Sequence, residues 1–380
     1  LQWALARLKF EQYFKAFNEV SDAYHLLKRN ETKFPNFVAN KKSLGMLHAI
    51  VGTIPDKYKW GVKLLSGMTG NIKQGKKEME EILIYAQLHP FMFEKETLVM
   101  YAFLVLHLKD DLDSAWNIIQ NKKLDPTTNP LICFALGNIA IHTGRNDQAI
   151  EILENRPKGN QYAEFHFLDY MLGLSKLYRL DKDANIYLKK YVKNFHGQNY
   201  IKEAYQKLAW YELVRGNEIN YFHYIKFCKT EGAKIIGGDK NAEKEAKVEK
   251  IPNMVLLKAR LLFDGGYYER AFKLLEKRTI ADFETQKDQL EYAYRLARLT
   301  HNTGKHDEAI MYYQTTIDQG KEASYYFACN AALQIGRIYE SKKNLNKAKE
   351  FFNLCLSIKP DEYRNSLHQK AKAGLNRINN

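Results

Sequence analysis

The residues of this chain that could perform chemistry are scattered, and each candidate set lacks a member that its reaction requires. Gly67-Met68-Thr69-Gly70, with Gly75, has the glycine density of a phosphate cradle. Its spacing fits neither the dinucleotide nor the nucleoside-triphosphate loop, and no strand leads into it, so it reads as a turn between helices. Gly304-Lys305 lacks the upstream glycine of a triphosphate loop. The eleven histidines form neither HExxH nor HxxxH on a helix face, the spacings that would build a zinc site. His301 and His306 flank a turn, where metal binding is one reading and capping or exposure is another. Asp110-Asp111-Leu112-Asp113 is acidic, but a calcium loop needs alternating ligands, a glycine and a distal Glu. Helix N-capping accounts for it better. There is no GxSxG elbow and no pair of groups spaced for acid–base work. The expectation is a chain that is not an enzyme, with no catalytic residue, no cofactor and no metal.

Cys133, Cys228, Cys329 and Cys355 stand far apart and form no CxxC pair, so they read as structural thiols. The net charge is +14, with a pI near 9.3. That balance favours anionic partners. Lys and Arg are nevertheless spread from end to end, which also fits plain solvation of many helix faces, and nucleic acid is therefore not the expected partner. Hydrophobic residues make up 45% of the chain, enough to bury cores over most of its length. No apolar run is long enough to cross a membrane as a helix. The chain opens on Leu1, without Met, inside an amphipathic pattern, and reads as a fragment or a processed product.

The elements that must position any functional residue are helical and repeated. A small residue recurs at Ala115, Ala149, Ala184, Ala271, Ala309 and Ala348, with Tyr221 in the corresponding place of a weaker unit. The gaps along this series are 34, 35, 37, 50, 38 and 39 residues. Between the two helices of each good unit stands a glycine, as in His142-Thr143-Gly144-Arg145-Asn146 and His301-Asn302-Thr303-Gly304-Lys305; Gly216 and Gly266 take the same place. Glycine closes a helix in the left-handed conformation without a side-chain penalty. Asp147, Glu269, Asp307 and Glu308 then open the second helix, matching the positive end of its dipole.

The last unit carries Gly336, Tyr339, Ala348, Phe352 and Pro360, which count as positions 8, 11, 20, 24 and 32 of a 34-residue unit. This resembles the tetratricopeptide repeat, and the resemblance covers about 97–380. It implies an all-α fold, a right-handed superhelical solenoid of helix-turn-helix units with helical caps. It also implies that peptides or protein segments bind the concave surface made by the first helix (helix A) of each unit. Gly52-Thr53-Ile54-Pro55-Asp56-Lys57-Tyr58-Lys59-Trp60 and the glycines after it look like the opening block of longer tetratricopeptide proteins, including envelope-associated ones of Gram-negative bacteria. From that comes a lean toward an envelope or periplasmic location; the compartment and the oligomeric state are otherwise open.

In that family ligands meet positions 2, 5, 9 and 12 of helix A. Carried onto this chain, position 9 is Arg260, Arg298 and Arg337 in the last three units, Trp210 in the unit before and Asn138 further back. Position 5 includes Tyr294, and position 12 includes His301. A row of guanidinium groups would suit carboxylates or phosphates, with Trp210 and Tyr294 as aromatic anchors. The competing reading pairs each arginine internally: Glu340 follows Arg337 by three residues, and Glu291 precedes Arg298 by two turns.

The expected organisation is a helical cap or diverged repeats over 1–96, repeats over 97–228, a charged insertion over 229–252, repeats over 253–358 and a capping helix over 359–380. Before residue 97, helices are expected over 2–28, 40–54, 58–67 and 72–86, punctuated by Pro35, Pro55 and Pro90. In the insertion, alternating Lys and Glu over 231–249 predict a solvent-facing helix. The expected function is a scaffold that binds a protein or peptide segment, one with acidic character suiting the arginines, in the concave groove. The alternative is an envelope protein that stacks a carbohydrate or lipid ligand on Trp210, Tyr221 and Tyr224.

Overall fold

The computed structural model of the protein describes residues 1–10, 12–54, 56–108, 112–120, 124–248 and 250–378. Pro55, Asp110, Asp111 and Glu249, expected as a breaker, as caps and as part of the charged insertion, lie outside the described residues. Among the described residues there are helices and no strand. In order they are α1 (Gln2–Lys9), α2 (Tyr13–Lys33), α3 (Ala39–Gly52), α4 (Asp56–Ser66), α5 (Ile72–Leu88), α6 (Glu94–Leu108), α7 (Leu112–Ile119), α8 (Pro130–His142), α9 (Asn146–Glu154), α10 (Phe167–Arg179) and α11 (Ala184–Asn194). They continue as α12 (Ile201–Leu213), α13 (Glu218–Thr230), α14 (Gly237–Val248), α15 (Met254–Asp264), α16 (Tyr268–Leu275), α17 (Gln286–Asn302), α18 (His306–Gly320), α19 (Phe327–Ser341), α20 (Leu345–Ser357) and α21 (Arg364–Ile378).

Among the described residues, seven helical hairpins run from α6/α7 to α19/α20, with α14 inserted before the fifth. The marker residues all face inward: Ala115, Ala149, Ala184, Ala271, Ala309 and Ala348 are fully buried, and so is Tyr221. A small residue there lets the two helices of a hairpin approach closely, and the surrounding large residues fill the rest. Gly144, Gly216, Gly266 and Gly304 have φ of 73°, 80°, 82° and 78°, the left-handed conformation expected of them. Leu180 and Lys343 take the same conformation at the turns that lack glycine. Side-chain caps also start helices: Asn129, Asn253, Thr285 and Asn344 each accept from a backbone N–H in the first turn that follows.

The helices divide into two compact units: Leu1–Ser175 with Tyr187–Ala204 and Thr230–Lys244, and Lys176–Ile186 with Tyr205–Lys229 and Glu245–Asn380. In the first unit the single helix expected over 2–28 is two. The Arg7 carbonyl accepts from both Phe10 N at 3.1 Å and Gln12 N at 3.0 Å. That closes the first helix, and α2 folds back so that Arg7 pairs with Glu19. The helices expected over 40–54, 58–67 and 72–86 are α3, α4 and α5. The α3–α5 crossing is close enough that a Cβ on Gly75 would lie 2.3 Å from the Gly45 carbonyl oxygen. Met79, Ala102, Ile119, Ile139 and Ala149 sit in the main core of this unit.

In the second unit, Leu256, Leu262, Phe263 and Leu275 pack with Tyr292 and Leu296. Tyr294, Tyr313, Phe327, Leu333, Phe352 and Cys355 form the core of the last two hairpins, and Leu367 and Ala371 of α21 close it. The four cysteines are free and buried. No helix among the described residues is long and apolar enough to cross a membrane.

The insertion departs from expectation. Its helix α14 is not a solvated appendage: Asp239, Ala242 and Ala246 are fully buried. The alternating charges that suggested exposure are split, with some of the acids turned inward onto specific donors.

Candidate functional site

The first helices of the last three hairpins, α15, α17 and α19, carry Arg260, Arg298 and Arg337 in turn, and Arg298 and Arg337 are near enough to act on one another. Arg298 of α17 places its guanidinium 4.4 Å from the ring of Phe263 on α15 and donates to the Tyr294 hydroxyl at 3.0 Å. That hydroxyl also accepts from Asn330 Nδ2 on α19 at 2.6 Å. Tyr294 therefore ties α17 to α19, and Phe263 seats Arg298 over α15. One turn from Arg298, Arg295 is buried and forks onto Glu291 at 3.1 and 2.7 Å. Sequence reasoning missed Arg295. The signal was present in its i, i+4 spacing from Glu291, a carboxylate that by spacing alone Arg298 could also claim.

The internal pairings named for Arg298 and Arg337 do not form. Glu291 is held by Arg295, and Glu340 is gripped through both its oxygens by Arg377 of α21 at 2.7 and 2.8 Å. Arg337 is consequently left with no hydrogen bond or ion pair among the described residues. Arg298 has only a neutral hydroxyl partner, and Arg260 reaches Asp264 at a long 3.8 Å. Arg260, Arg298 and Arg337 are all partly exposed.

The electrostatics show how closely these cations feel one another. Burial lowers the Arg337 pKa, Arg377 and Arg298 push it further in the same direction, and Glu340, though bonded to Arg377, opposes them through space. Burial also pulls at Arg298, but the Tyr294 and Tyr313 hydroxyls outweigh it and raise its pKa. Both groups remain cations at any physiological pH. His301, with Nδ1 3.3 Å from the Tyr313 hydroxyl, is lowered to about 4 by burial first and then by His306, Arg298 and Arg337. It stands among the arginines as a neutral imidazole. Its nearest ring neighbours are His306 and Tyr313, and no cluster of three or more His, Cys, Asp or Glu among the described residues could hold a metal.

Trp210 and Tyr294 do not present the aromatic surface expected of anchors. They are 2% and 1% exposed. Lys207 Nζ lies 3.9 Å and the Arg260 guanidinium 4.8 Å from the centre of the Trp210 ring. Its indole N–H donates to Glu245 of α14 at 2.8 Å. The reason is the insertion: Glu245 also accepts from Gln206 Nε2 at 2.6 Å and from the Tyr221 hydroxyl at 3.4 Å. Two sequence anomalies, a tryptophan at position 9 and a tyrosine at the small-residue position of the same hairpin, thus share one carboxylate. With Trp210 and Tyr221 in the core, two of the rings expected to stack a sugar or lipid are withdrawn from solvent. Asn138 lies in the first unit, half-buried on α8, and its carbonyl accepts from His142 Nδ1 at 2.8 Å.

At three places, residues 131–155, 290–318 and 330–362, the chain matches the family model described as a tetratricopeptide repeat. No curated protein matches it. The second and third matched stretches cover most of α17 and α19 and include Arg295, Arg298 and Arg337.

Proposed function

For a chain that carries tetratricopeptide repeats, which generally mediate protein–protein interaction, we propose that α15, α17 and α19 form a recognition face for a carboxylate-bearing segment of a partner protein. Such repeats are typically non-enzymatic scaffolds. The observation that carries the reading is the state of Arg337 and Arg298. The acids of their own helices are bonded to Arg377 and Arg295, so Arg337 keeps its donors for a guest, and Arg298 keeps those that it does not give to the Tyr294 hydroxyl. A carboxylate in bidentate contact with such a group gains a charge-assisted bond in a partly desolvated place, where the interaction is stronger than in open water. Arg295 and Arg260 are matched by Glu291 and Asp264 of their own helices, while His301, being neutral, contributes hydrogen bonding without charge.

The test uses a fluorescein-labelled glutamate-rich peptide titrated with the full chain and followed by anisotropy. Arg337→Glu is expected to weaken binding at least about tenfold, since it replaces an attraction by a repulsion worth more than about 1.4 kcal/mol. It should leave helix content unchanged, because Arg337 holds nothing in the fold. Equal affinity in the wild type and in Arg337→Glu would remove the proposal.

A further inference from the structure

One stretch of helix A surface in this protein is already covered, and its occupant is a helix. Along α12, the side chains at successive i+4 steps, Lys202, Gln206 and Trp210, all meet acids of α14. Lys202 Nζ lies 3.4 Å from Glu243, and Gln206 and Trp210 share Glu245. At the start of α12, Asp239 accepts from the backbone N–H of Tyr200 at 2.8 Å and of Glu203 at 3.0 Å, capping that helix from outside. Asp239 and Glu243 are themselves four residues apart, as are the buried Ala242 and Ala246. One helix thus lies against another with alanines at the contact and carboxylates on the donors. The approach is close: a Cβ on Gly238 would fall 1.8 Å from the Glu203 carboxylate.

The covered station leads directly into the uncovered one. The Trp210 ring, whose N–H holds Glu245, carries the Arg260 guanidinium on its face at 4.8 Å. From Arg260 the cationic row continues to Arg298 and Arg337, which lack carboxylate partners among the described residues. Resting on the reading of this face as a recognition surface, we propose that its guest is a helical segment of the same kind as α14. It would be an amphipathic helix of a partner protein, with alanines along its contact line and carboxylates at i, i+4 spacing that engage Arg298 and Arg337. An extended peptide is the competing occupant. Charge complementarity and continuity with the α12–α14 contact favour the helix.

The experiment titrates the full chain against two labelled peptides. One is an alanine-based helix of about four turns with glutamates at i, i+4 spacing; the other has the same composition with a central proline that breaks the helix. The expected result is that the helical peptide binds at least about tenfold more tightly, and that Arg337→Glu removes most of that affinity. Equal binding of both peptides, each lost in Arg337→Glu, overturns the helical guest while keeping the recognition face. Absence of any Arg337-dependent binding by either peptide overturns the recognition face and the helical guest together.

Discussion

Glu245→Ala is the sharpest perturbation of the insertion's role. Glu245 accepts from Gln206 at 2.6 Å, from the Trp210 indole at 2.8 Å and, more weakly, from the Tyr221 hydroxyl at 3.4 Å. These three donors belong to residues that are 4%, 2% and 1% exposed, so water does not replace the lost acceptor freely. A buried donor left unsatisfied costs about 1–3 kcal/mol. Two well-made bonds therefore put the loss at about 2–6 kcal/mol, with the long third bond adding little. Glu245→Gln keeps one acceptor oxygen for the indole but sets its amide nitrogen, a donor, against Gln206 Nε2 and loses that bond with the charge, so it should cost about 1–3 kcal/mol. Urea unfolding followed by far-UV circular dichroism and by tryptophan fluorescence measures both variants. The two probes are compared because a repeat array need not unfold in a single step. The alanine variant should also show a red-shifted emission in its native state, as the Trp210 environment opens. Should Glu245→Ala unfold within about 0.5 kcal/mol of the wild type, with unshifted fluorescence, α14 would not be a structural part of this face. The burial of Trp210 and Tyr221 would then have to rest on contacts other than the shared carboxylate.

Arg295→Ala strands the partly buried Glu291 carboxylate and should destabilise by about 2–4 kcal/mol, whereas Arg295→Met combined with Glu291→Leu should recover most of that loss; thermal unfolding of the single and double variants decides it. Gly336→Ala places a Cβ 2.6 Å from the Phe352 ring, and the overpacking should cost about 1–3 kcal/mol in the same assay. Burial and neighbouring cations hold His301 near 4 in the fold against 6.5 in its unperturbed state. Well above pH 6.5 it is neutral in both the folded and the unfolded chain. As pH falls from 6.5 toward 4, the unfolded chain takes up a proton that the native one refuses, so stability should drop, by about 3 kcal/mol at most before discounting for residual solvent access. Stability measured across that window should fall less steeply in His301→Gln, and identical slopes would show that His301 is not the group responsible.

The repeat architecture was legible because it is local. A small residue in one phase, a glycine or its left-handed substitute at the turn and an acidic residue at the next helix start are each settled within a few residues of chain. They emerged as seven hairpins, among the described residues, whose marker residues are buried. The break between α1 and α2 was not legible, since no proline or glycine stands there and the turn is held by backbone bonds and a distant ion pair.

For the proposed recognition face, sequence alone placed Arg260, Arg298 and Arg337 at equivalent positions of successive repeats, because that equivalence follows from counting. It could not choose between free and paired arginines. A carboxylate one turn away in sequence is equally available to any cation that reaches it, and the cations that did were Arg377 from another helix and Arg295 from the neighbouring turn. Nor could it tell that α14 turns its acids inward, because alternating charge looks the same whether water or a tryptophan N–H receives it. Periodicity and turn chemistry are written in neighbouring residues. Which charge is satisfied, and which is left for a partner, depends on side chains brought together from remote parts of the chain, and only the packed helices decide that.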